Sequence, residues 1–190
     1  TLATMSTVQG VAWVYTKGAP RGSVPESIHF LSNGHWGPVP VADVIFLLVV
    51  LAAWFLLQDG LLGRYLYAAG ANPTAARLAG VPTTRIAAVA YVMSGVFAAF
   101  GGLVLAGYVG VGSLDVGNPY VLDSIAAVII GGTTFAGGQG GVLGTAVGVW
   151  ILAVLTALFI QAQIPIALRS VLLSIILVAA ALLHARQTGR

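Results

Sequence analysis

The sequence predicts an all-α, polytopic transmembrane helical bundle of about six segments, one of them short or broken, with a short helix in a cytoplasmic loop. Three observations predict it. Of 190 residues, 58% are hydrophobic and 7% charged, whereas soluble domains carry roughly 25% charged residues; so few charges cannot cover a water-exposed surface. Mean hydropathy is +0.99. The apolar residues form continuous runs, which suit helices rather than the alternating strands of a membrane barrel.

The runs fall at about 2–16, 41–58, 86–106, 123–136, 142–160 and 168–184. A full span takes about 20 residues, and the second, third, fifth and sixth runs reach or approach that length. The first is short, and the chain opens inside it at Thr1 with no Met, basic leader or cleavage pattern. The natural N-terminus is therefore expected upstream. The fourth run enters GGTTFAGGQGG (131–141), the mark of a partial span.

Arg and Lys placement orients the spans. Residues 59–85 carry Arg64, Arg77 and Arg85 against Asp59, and the C-terminal tail carries Arg186 and Arg190. Both segments are placed on the cytoplasmic side, since four runs lie between them. Residues 107–122, with Asp115 and no Lys or Arg, then face outward. So does 17–40, read as a loop, although Lys17, Arg21 and, further on, Arg169 run against the rule.

Within 59–85 the stretch GANPTAARLAG (70–80) reads as a capped helix of about two turns. Asn72 is a good N-cap, and Pro73 suits the first helical position. Ala75, Ala76, Leu78 and Ala79 favour helix, Gly80 suits the stop, and Pro82 discourages continuation. Two roles stand open. One is a plug for a groove on another protein, where Ala75, Ala76 and Ala79 permit close approach and Arg77 pairs with a carboxylate. The other is a piece lying on the lipid surface, although the large apolar face of such helices is lacking.

Small residues recur at helical spacing: Ala98, Gly102 and Ala106; Gly140, Gly144 and Gly148; and Ala127 with Gly131. Such faces let backbones approach closely in lipid. They are read as packing within one bundle in preference to a dimer interface.

Several chemistries are excluded. There are no cysteines, and His29, His35 and His184 lack metal-ligand spacing. Basic residues are scattered, which argues against nucleic acid. The glycine-rich stretch 131–141 has neither GK[ST] nor GxGxxG spacing, so it is no phosphate loop. Its Thr133, Thr134 and Gln139 are candidates for a water-filled path. Asp123 precedes Ser124 and an apolar run, and is read first as an N-cap and second as a path residue. The spans hold almost no mid-span charge, which argues against a proton relay and puts any energy source elsewhere. No catalytic site and no cofactor are expected.

GRYLYAAGANPTAARLAGVPTTRIAAVAYVMSG (63–95) resembles the permease subunits of ribose-type ABC importers. LDSIAAVIIGGTTFAGGQGGVLGT (122–145) is similar to a second block of that family, and the outward loop VYTKGAPRGSVPESIHFLSNGHWGPVPV is a weaker match. Ala79 departs from the family's usual Ser, and Gln139 from its Lys or Arg. The resemblance runs through nearly the whole chain but covers only the later part of a family member. It implies that residues 1–190 are permease transmembrane domain and that 59–85 is a cytoplasmic coupling loop. Asn72, Pro73 and Ala75 to Gly80 would then form the coupling helix that docks into the ATPase. The implied partners are cytoplasmic ABC ATPase subunits, a second permease subunit, an external sugar-binding protein and the lipid bilayer. The implied location is the bacterial inner membrane. A branched-chain amino-acid permease and an ATP-independent transporter or channel remain as alternatives.

Overall fold

The computed structural model describes residues 2–19, 21–58, 60–134, 136–165, 168, 171–172 and 174–175. Asp59, Arg169, His184, Arg186, Arg190 and most of the sixth apolar run lie outside the described residues.

Among the described residues, three helices have the length and apolarity to cross a membrane: α3 (Val41–Gln58), α6 (Thr83–Val109) and α8 (Val142–Gln161). At 1.5 Å per residue they are about 27, 40 and 30 Å long, against about 30 Å of hydrocarbon. The described residues fully bury only 0%, 0% and 11% of their most apolar windows. Such surfaces require lipid or other protein around them. The only charges they carry lie in first turns, Asp43 in α3 and Arg85 in α6. Two shorter helices, α1 (Leu2–Thr16) and α7 (Asn118–Ile130), occupy the first and fourth apolar runs.

The chain divides into two compact units, each treated separately below. One comprises Thr1–Val49 and Tyr91–Pro119; the other comprises Val50–Ala90 and Tyr120–Arg190.

In the first unit, the stretch read from sequence as a loop (17–40) holds regular structure. Strand β1 (Arg21–Ser23) pairs antiparallel with β4 (Val111–Gly112) through an irregular register. Strands β2 (His35–Trp36) and β3 (Val39–Pro40) form a hairpin. Gly37, at φ +62°, takes its first central position, which a side chain would disfavour. Between them lies α2 (Glu26–Asn33). Ile28 and Ser32, one turn apart, meet α6, and Ser32 Oγ donates to the Val104 carbonyl at 2.6 Å. Asn33 Nδ2 donates to the Gly107 carbonyl at 3.2 Å. A Cβ on Gly107 would lie 2.5 Å from the Ile28 carbonyl oxygen, so only glycine admits this approach.

The face expected at Ala98, Gly102 and Ala106 is not where α6 packs in this unit. Ala98 and Gly102 are exposed, and a Cβ on Gly102 would meet nothing within 4 Å. The contact runs through Gly107, one residue beyond Ala106, because that is the position α2 covers.

In the second unit, 59–85 is more helical than the sequence suggested. Helix α4 (Leu61–Ala71) leads directly into the short helix α5 (Pro73–Leu78). Ala76, Val81 and Ile86 form a small core, with Leu62, Leu66 and Ala69 packed against it. A second core joins α7 to α8 through Ala126, Ala127 and Leu152. Here the small residues make backbone contact. A Cβ on Gly131 would lie 2.5 Å from the Gly144 carbonyl oxygen, and one on Gly148 would strike the Ala127 carbonyl oxygen. Gly140, expected on the same helical face as Gly144 and Gly148, instead belongs to the connection before α8, with φ +133°.

Asp123 is not an N-cap. Helix α7 starts five positions earlier than the apolar run, at Asn118, whose Nδ2 donates to Asp115 Oδ1 at 3.2 Å. Pro119 suits a first helical turn. Asp123 therefore lies inside the helix, half-buried.

Candidate functional site

Helix α5 is built by local rules. The Asn72 side chain accepts hydrogen bonds from the Thr74 and Ala75 backbone N–H groups at 3.1 and 3.0 Å. These are two of the donors a helix start otherwise leaves unpaired. Pro73 follows at the first turn, and Gly80 takes φ +82° just beyond the C-cap Ala79. Arg77 stands in the last turn, where a cation complements the helix dipole.

The residues of this segment divide by face. Ala76 is 5% exposed and packs into the chain's own core, so it is unavailable to a partner. Asn72, Pro73, Ala75, Arg77, Leu78, Ala79 and Gly80 are exposed, and Leu78 is 87% exposed. A rigidly capped helix thus presents a bare leucine beside an arginine. Its inner face is fixed by Leu62, Leu66 and Ala69, so it is held as a firm projection rather than a loose loop.

Beside α4 lies an open cleft of about 380 Å³. It gathers three of the four residues named as path candidates, Thr133, Thr134 and Gln139, together with Tyr67 and Thr145. Asp123 does not line it. Thr134 Oγ1 is buried and lacks a hydrogen-bond partner among the described residues. An unpaired buried hydroxyl is costly, and a water or a solute hydroxyl would satisfy it. Tyr67 Oη donates to the Gly140 carbonyl at 3.0 Å, and Thr145 Oγ1 donates to the Gly141 carbonyl at 3.1 Å. Tyr67 was missed in the sequence because its partner is 73 residues away. Among the described residues, no group of three or more His, Cys, Asp or Glu is placed to hold a metal ion.

The model of the family described as branched-chain amino acid transport system / permease component matches residues 1–181. The chain belongs to this permease family. Similar members include the ribose import permease protein RbsC of Haemophilus influenzae, 36% identical over 82% of this chain and 49% of the relative. The ribose import permease protein RbsC of Escherichia coli is 37% identical over 82% of this chain and 50% of its own. The xylose transport system permease protein XylH of Escherichia coli is 39% identical over 65% of this chain and 31% of its own. The chain spans about half the length of the ribose permeases it matches. No solved structure matches it.

Proposed function

We propose that the chain is membrane-spanning domain of a permease subunit in an ATP-driven importer of a ribose-like monosaccharide, with α5 as the coupling helix. The observation that carries this reading is α5 itself: a capped helix, fixed on its inner side and bare at Arg77 and Leu78, between two apolar spans. A leucine and an arginine on one short helix suit a groove with an apolar floor and an acidic rim. The lipid-surface alternative suits α5 less well, since a single exposed leucine gives little apolar area to bury.

In this reading α4 and α5, with Arg64, Arg77 and Arg85, face the cytoplasm, and α2 with the β2–β3 hairpin faces outward. The membrane is the bacterial inner membrane. ATP binding closes two ATPase subunits, α5 carries the movement to the spans, and a path opens between this permease and a second one. An external binding protein delivers the sugar. Thr133, Thr134 and Gln139 line part of the path near its inner end.

The similarity to ribose and xylose permeases favours a sugar over a branched-chain amino acid. The lack of charge beyond the first turns of α3, α6 and α8 disfavours an ATP-independent transporter driven by protons or sodium. The test is Arg77→Glu in the full-length permease. It is expected to weaken co-purification of the ATPase subunits while leaving membrane insertion intact. Unchanged co-purification would refute docking through α5.

A further inference from the structure

Helix α4 does more than carry α5. Its last turn abuts the Gly137–Gly140 segment, which leads into α8. A Cβ on Gly70 would lie 2.8 Å from the Gly138 backbone nitrogen, and one on Gly138 would lie 2.6 Å from Ala71 Cα. The two backbones therefore touch, with the Ala71 methyl the one side chain against Gly138 at the contact. Gly137 and Gly138 hold φ of +84° and +72°, conformations that further favour glycine there. One turn back, Tyr67 Oη bonds the Gly140 carbonyl at 3.0 Å.

Both ends of this seam are firmly tied. Toward α5, the Asn72 N–H bonds the Ala68 carbonyl, the Ala76 N–H bonds the Asn72 carbonyl, and the shared core locks Ala76 against α4. Toward the spans, Thr145 Oγ1 bonds the Gly141 carbonyl, and Gly144 lies against Gly131. Backbone packed on backbone has no rotamer slack, so a displacement on one side is passed to the other.

We propose that Tyr67 and Gly70 clamp the Gly137–Gly140 backbone to α4, so that movement of α5 is transmitted directly to the α7–α8 connection and the cleft residues on it. Tyr67 and Gly70 are positioning residues, and the inference rests on α5 being the coupling helix.

The test uses the full-length permease with its ATPase subunits in proteoliposomes, in a cysteine-free background carrying Gln139→Cys. The probe is a water-soluble maleimide, and the readout is the change in its labelling rate on adding ATP. A clear ATP-dependent change is expected in the parent protein. Tyr67→Phe keeps the ring, removes the hydroxyl and is expected to shrink the change by about two- to tenfold, the range of one net hydrogen bond. Gly70→Val is expected to shrink it further by forcing the seam apart. ATPase co-purification is expected to persist in both, which a merely misfolded protein would not show. If Gly70→Val fails to assemble, Tyr67→Phe alone decides. An ATP-dependent change of parental size in Tyr67→Phe, or none in the parent with ATPase bound, overturns the clamp. Failure of the coupling reading registers separately, as undiminished ATPase binding in Arg77→Glu.

Discussion

Gly144→Ala and Gly102→Ala make the same chemical change on two apolar helices, and the structure separates their outcomes. At Gly144 the new methyl would strike the carbonyl oxygen of Gly131, a backbone atom that cannot rotate aside. Overpacking a tight contact costs about 1–3 kcal/mol, and backbone against backbone belongs at the upper end. Against this stands a helix-propensity gain of about 1 kcal/mol for alanine over glycine. The net expectation is a loss of about 2 kcal/mol. At Gly102 nothing lies within 4 Å of the new carbon, so only the propensity gain remains, up to about 1 kcal/mol. The two variants should therefore differ by about 2–3 kcal/mol by this arithmetic. The assay is reversible unfolding of the purified permease in mixed detergent micelles, both variants against the parent. Equal stability of the two would refute the reading that α7 and α8 meet through their backbones. Gly144→Leu extends the same clash and is expected to abolish assembly.

Three further outcomes follow from individual contacts. Asn72→Ala removes the acceptor for two backbone N–H groups and should weaken α5 by about 1 kcal/mol, seen as faster hydrogen exchange at Thr74 and Ala75; unchanged exchange would show the cap to be idle. Ser32→Ala removes the 2.6 Å bond to Val104 and should destabilise the first unit by about 1 kcal/mol, read as earlier unfolding; an unchanged transition would show that α2 is held by other contacts. Leu78→Ser should loosen ATPase association without altering the stability of the isolated permease, because Leu78 is 87% exposed; full ATPase binding would place the partner on another face.

Local signals were legible in the sequence and distant ones were not. Asn72, Pro73 and Gly80 marked α5 because a cap, a first-turn proline and a positive-φ glycine act within a few residues. Spans α3, α6 and α8 were legible from their unbroken apolar runs. Helix α4 was hidden because Gly63, Arg64 and Gly70 interrupt its pattern, although Gly63 is buried and Gly70 is needed for contact. The apolar run marks α7 only from residue 123, because Asn118 and Pro119 look like loop residues, yet they suit a helix entry. Helix α2 was missed because its packing depends on Gly107, far along the chain. At the candidate site, the sequence singled out Thr133, Thr134 and Gln139 by polarity alone. It gave no sign of Tyr67, whose importance arises only when α4 meets the connection before α8.

The most direct measurement is the sidedness of α5 in living cells. These 190 residues contain no cysteine, so in a cysteine-free full-length permease single cysteine substitutions at Arg77 or Leu78 offer a clean target, with Trp36→Cys on the β2–β3 hairpin as the opposite marker. A membrane-impermeant thiol reagent applied to intact cells should label position 36 and spare positions 77 and 78 until the membrane is opened. Labelling of 77 or 78 from outside would put the helix on the wrong side of the membrane for any cytoplasmic ATPase and contradict the account.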